Sequence, residues 1–289
     1  MMKLPRREML KLMGSGICAA GLPRIGLGAE SGKRIGIALQ LYSVRNQIGQ
    51  DADKVLEEIA KMGYEAVEFA GYFKYRDDAA GLRKTLDANG LKVAGTHVGD
   101  RVLSDPKAIE FLRTIGCKYL IVPGDGRVRD AEKSKEFAEI LNKAAATLKP
   151  HGMFCGYHNH THEFGASGDG DKTWWDLLAE RTRNEVVLQM DVGHLTRAGR
   201  DPVAYLKKYP GRTRTAHISP AVVRDSKDAK PIIGQDSVAW KDVVAACREV
   251  GGTEWFIVEQ ENYLPGKTPL ECSELSLKGL KTILEEKNS

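Results

Sequence analysis

From residue 34 onward, short apolar runs and amphipathic stretches alternate without a break. The apolar runs predict eight strands: 35–41 (IGIALQL), 64–69 (YEAVEF), 91–97 (LKVAGTH), 117–122 (CKYLIV), 153–158 (MFCGYH), 186–191 (VVLQMD), 213–218 (TRTAHI) and 254–259 (EWFIVE). They are rich in β-branched and apolar residues, as strands covered on both faces are.

Helical periodicity fills the gaps. DADKVLEEIAKMG has an Asp start and a Gly stop. DDAAGLRKTLDANG, DPKAIEFLRTIG, AEKSKEFAEILNKAAATLKPHG, TWWDLLAERT, DPVAYLKKYPG and AWKDVVAACREVGG follow, and SELSLKGLKTILEEKNS closes the chain. Two begin Asp-Pro, an N-cap followed by the residue best suited to the first helical position. Eight such units predict an α/β protein, a single (β/α)8 TIM barrel over about residues 34–286. A doubly wound nucleotide-binding sheet fits less well, because Leu41-Tyr42-Ser43-Val44-Arg45 follows the first strand in place of a Gly-rich loop. Two long loops, 159–172 and 219–237, should overhang the barrel mouth.

Residues 1–29 differ from the rest. Arg6-Arg7 precedes Met9-Leu10-Lys11, a weakly apolar stretch and a small-residue end at Gly26–Ala29. This resembles a twin-arginine export signal, which implies a periplasmic or otherwise exported protein beginning near residue 30. The segment holds five basic residues (Lys3, Arg6, Arg7, Lys11, Arg24) and one acidic (Glu8), which accounts for the whole net charge of +4. The remainder is therefore near neutral and gives no sign of a nucleic-acid partner. No apolar run reaches the roughly 18–20 residues of a membrane span. Four cysteines follow the signal (Cys117, Cys155, Cys247, Cys272) without a CxxC pair, and free thiols are expected.

The candidate chemistry sits where the apolar runs end. His158, Asp191, His217 and Glu259 close the fifth to eighth runs. In a barrel, the C-terminal ends of the strands carry the active site. Two histidines and two carboxylates are enough to hold one divalent metal ion, with Mn, Co, Zn and Fe all admissible. Asp191 begins Asp-Val-Gly-His, which places His194 one turn on; the same Asp could simply cap a helix. Strand alternation puts His160 on the side of His158 and Asn159 on the other. His160 is thus a substrate-side group, while His162 and Glu163 fall in the loop. Glu68 and His97 end the second and third strands and could move protons or contact substrate. Trp174 could stack on a sugar face or join the core. Glu261 is a weaker candidate, two residues past the strand.

On these motifs the chain resembles the xylose-isomerase-like barrel family, which includes sugar isomerases, epimerases, inosose dehydratases and endonuclease IV. The likeness spans about residues 34–286 and rests on Asp-x-Gly-His, His217, the Val-Glu of the eighth strand, and His97. It implies one metal held by Asp191, His217 and Glu259, with His158 in the place of the family's fifth-strand glutamate. It further implies proton transfer next to a carbonyl by Glu259, His160 or Glu68, through an enediolate, with His97, His194, Arg224 and Trp174 near the substrate. Two departures narrow this. His158 leaves one metal-type glutamate where symmetric epimerisation uses two, which favours a lyase or dehydratase. Ser219-Pro220 stands where many relatives have Lys-Asp, so any role of that lysine is absent or moved to Arg224. The expected partner is a small-molecule sugar, with homo-oligomerisation left open. A nuclease and a non-catalytic sugar-binding barrel are the rival readings.

Overall fold

A computed structural model describes residues 34–223 and 226–286. Its eight parallel strands close into a barrel in sequence order. They are β1 (Gly36–Gln40), β2 (Ala66–Phe69), β3 (Lys92–His97), β4 (Tyr119–Val122), β5 (Phe154–His158), β6 (Val187–Asp191), β7 (Thr215–Ile218) and β8 (Trp255–Val258). Each lies within the run that predicts it, shorter by a residue or two. Glu259 sits just past β8 rather than on it.

Outward-facing side chains such as Leu39, Val67, Leu120 and Leu188 join the helices in one large core. Inside the barrel the layers differ in character. Ala38, Ala66, Ala94 and Ile257 form a small apolar cluster against Trp255, with Tyr119, Ile121 and Val187 beside it. Above this plug the interior turns polar. Register sets Gln40 beside Glu68, His158 beside Gln189, and Asp191 beside His217. The apolar layers supply the packing and leave the strand ends to carry polar groups.

The helices start and stop where their caps require. Asp51 caps Ala52–Met62, which ends at Gly63 with φ 92°. The final helix runs from Pro269 to Glu285, starting earlier than expected because Thr268 and Glu271 form a capping box. The stretch expected as one helix over 239–252 becomes Trp240–Ala246 followed by a π turn over Cys247–Gly251. A short helix, Val192–Arg197, follows β6, capped by Asp191. The four cysteines among the described residues are free and buried. The twin-arginine segment, residues 1–29, and Arg224 lie outside the described residues.

Candidate metal centre and its cavity

His158, Asp191, His217 and Glu259 converge from the ends of β5 to β8. Each offers a ligand atom, and these atoms lie within 4.8 Å of one another. All four side chains are buried. Such a set suits a divalent transition metal.

The surroundings orient each member. His217 lies between two carboxylates, Nδ1 at 2.8 Å from Glu259 Oε2 and Nε2 at 2.6 Å from Glu68 Oε2. Burial alone would lower the His217 pKa, but these carboxylates overcome it and hold it well above the usual histidine range. The pocket thus calls for positive charge beside Nδ1, where Asp191 Oδ2 also lies 3.9 Å away. His158 behaves oppositely. Burial, then the neighbouring imidazoles, hold it well below the histidine range, so it stays neutral as a metal ligand must. Its Nδ1 meets Gln189 Oε1 at 3.2 Å.

Asp191 is placed for both roles open to it in the sequence. Oδ1 accepts the His194 amide at 2.6 Å and so caps the helix, while the residue also joins the ligand cluster. The Ser219 hydroxyl lies 2.7 Å from both carboxylate oxygens. Gly193 leaves room for this contact, since a Cβ there would come within 2.3 Å of the Ser219 carbonyl. Asn159 locks the same strand end, accepting the Asp191 amide at 2.9 Å and donating to its carbonyl at 3.1 Å.

Glu68 lies deeper than its strand-end position suggests. Gln40 Nε2 (2.7 Å), Gln189 Nε2 (2.8 Å) and His217 all contact it, and His97 Nε2 is 3.2 Å away. Burial opposes its ionisation, but His97 and His217 outweigh that and hold its pKa at about 2. Glu68 is fully buried and does not line the cavity. The sequence expects Glu68 to move protons; the structure places it behind His217, where a carboxylate orients a histidine ring.

Above the cluster opens a cavity of about 390 Å³. His97, His158, His160, Glu259 and Glu261 form its polar side, and Val98 and Pro123 are among its apolar residues. His97 is anchored by Gln189 Oε1 at 2.8 Å. His160 lies just past β5, its ring 5.1 Å from that of His158. His194 does not line the cavity but lies close, its ring 4.8 Å from His160 and its Nε2 3.6 Å from Glu261 Oε2. Partial burial, then the Glu259 charge, raise the Glu261 pKa. Trp174 is not brought to the cavity. It packs half-buried against the core beside fully buried Trp175, because the helix Trp174–Arg181 faces the barrel wall.

Sequence reasoning passed over Gln40, Gln189, Asn159 and Ser219 as functional supports. The two glutamines were visible as polar residues in apolar strands, and Ser219 stood out as a departure from the family pattern. Their partners come from other strands, which one chain's pattern does not reveal.

The xylose isomerase-like TIM barrel model matches residues 56–282. Curated relatives include an inosose dehydratase of Clostridium perfringens, 26% identical over 82% of this chain and 90% of its own. Another, from Geobacillus kaustophilus, is 27% identical over 72% of this chain and 80% of its own. A sugar phosphate isomerase/epimerase of Parabacteroides distasonis superposes with a TM-score of 0.73 at 23% identity, covering 88% of this chain and 97% of that one. The IOLI protein, solved with a bound zinc atom, gives a TM-score of 0.65 at 16% identity, with 86% and 98% covered. With its closed eight-stranded barrel, the chain belongs to the xylose isomerase-like TIM barrel family.

Proposed function

We propose that this protein is a metal-dependent enzyme of the sugar isomerase and epimerase type, acting on a non-nucleotide keto-sugar or polyol by proton transfer next to a carbonyl. One observation carries the reading: four metal-type donors within 4.8 Å of one another beside a cavity of about 390 Å³. His158, Asp191, His217 and Glu259 would hold one divalent ion (Mn, Co, Zn or Fe), which supplies Lewis acidity to a substrate carbonyl. Glu259 faces the cavity and would take the proton from the adjacent carbon, leaving an enediolate. His160 would return or deliver a proton from the other side. His97 and Glu261 would contact hydroxyl groups, with His194 positioning Glu261. Glu68, Gln189 and Ser219 would fix the ligands.

Elimination is the second reading. His158 occupies the place where the resemblance expects a second glutamate, so the two-carboxylate symmetry of an epimerase is missing. The similarity to inosose dehydratases points the same way. Export remains part of the proposal on the strength of the Arg6-Arg7 segment. Metal analysis of the purified protein comes first. Incubation with ketoses and 3-keto-glycosides in D2O, followed by NMR, then separates exchange at the carbon beside the carbonyl from loss of water or an alcohol. No metal and no exchange would leave the sugar-binding barrel standing.

A further inference from the structure

The loop after β5 carries a second set of metal-type donors, of which the first site uses none as a ligand. Glu163 is fully buried. Its Oε1 accepts the Tyr157 hydroxyl at 2.7 Å and its Oε2 the His160 amide at 2.8 Å. Both donors are neutral. Among the described residues the ionisable partner within reach is His162, whose Nε2 is 3.1 Å from Oε1 but whose side chain is 46% exposed. A buried carboxylate without a full counter-charge is costly.

The two histidines of this loop face the same problem from the other side. The rings of His160 and His162 lie parallel, 5.6 Å between centroids and 3° between planes. His160 Nδ1 is buried without a hydrogen-bond partner. One nitrogen of each ring and a Glu163 oxygen lie within 4.8 Å of one another. A divalent cation would neutralise the carboxylate while the imidazoles supply lone pairs.

We propose that His160, His162 and Glu163 form a second divalent-metal site at the barrel mouth, distinct from the four-residue centre. Two imidazoles and one carboxylate suit Zn, Co or Fe with coordination positions left open to solvent. Three ligands, one of them half exposed, make it the weaker of the two sites. His160 lines the cavity, so filling this site withdraws it from the proton transfer argued above; that consequence rests on the proposed function, whereas the site itself does not.

The test is titration of the chelator-stripped full chain with Co2+, read by equilibrium dialysis and by the visible absorption of bound cobalt. Wild type should take up two equivalents, one tight and one weaker. His162→Ala, at an exposed position, should keep the tight equivalent and lose the weaker. An Asp191→Ala, His217→Ala double variant should keep only the weaker. Saturation of wild type at one equivalent, or two equivalents retained in His162→Ala, overturns the second site. If the tight equivalent still vanishes in the double variant, the four-residue centre stands regardless.

Discussion

Glu68 and His217 meet inside the barrel at 2.6 Å, Oε2 to Nε2, both side chains fully buried. The contact leaves Nδ1 as the nitrogen that faces Asp191 and Glu259. It fixes the ring and raises its basicity as a ligand. Glu68→Gln should therefore weaken metal affinity about 10–100-fold, the usual cost of losing such a partner. Asp191→Ala and His217→Ala should each remove most of the tightly bound metal with the fold intact. Competition against a chelator of known affinity checks all three. Unchanged affinity in Glu68→Gln would show that His217 is held by something else.

Asp176 gives a pH prediction away from the site. Its Oδ1 accepts Lys208 Nζ at 2.8 Å and the Tyr209 hydroxyl at 2.5 Å, and its Oδ2 accepts the Thr173 amide at 2.9 Å. Burial opposes ionisation, but Lys208 and Tyr209 overcome it and lower the pKa. A carboxylate depressed in the folded state stabilises above its unfolded pKa of about 3.9, and that stability is lost as pH falls through the folded value. Asp176→Asn should lower stability by about 1–3 kcal/mol at pH 7, the cost of disrupting a buried hydrogen-bonded group. The gap from wild type should narrow below about pH 4. Thermal melts from pH 7 to 3 would show it, and a constant gap would count against the network.

Export is tested at the N-terminus. Replacing Arg6 and Arg7 together by lysine keeps the charge but removes the arginine pair. The double variant should accumulate in the cytoplasm, while wild type should be exported and begin near residue 30. Cell fractionation and N-terminal sequencing decide it, and unchanged export rejects the twin-arginine reading.

The strand ends were legible because strands buried on both faces read as continuous apolar runs, which a polar residue at the end interrupts. His158, Asp191 and His217 show this directly, as does Glu259 one position later. Depth was not legible. Glu68 and Glu259 look alike in sequence, each following a β-branched or apolar run, yet one is sealed beneath the histidines and the other faces the cavity. That difference depends on Gln40, Gln189 and His217 arriving from other strands. Trp174 was ambiguous for a related reason. Helical periodicity says that one face is buried, not whether that face meets the barrel wall or the cavity.

Glu259 carries the sharpest prediction, since it alone joins the ligand cluster and lines the cavity as a carboxylate. Burial opposes its ionisation, but His217 outweighs this and lowers its pKa. Glu259→Gln keeps the size and one oxygen ligand but loses the basic lone pairs. It should retain part of the metal and lose at least about 100-fold in rate, the lower end of what a general base contributes. In D2O, wild type should place deuterium on the carbon next to the carbonyl, and the variant should slow exchange and turnover together. Product formed with no exchange, even in back-reaction, would point to hydride transfer. Full activity in Glu259→Gln would move the base to His160 or Glu68.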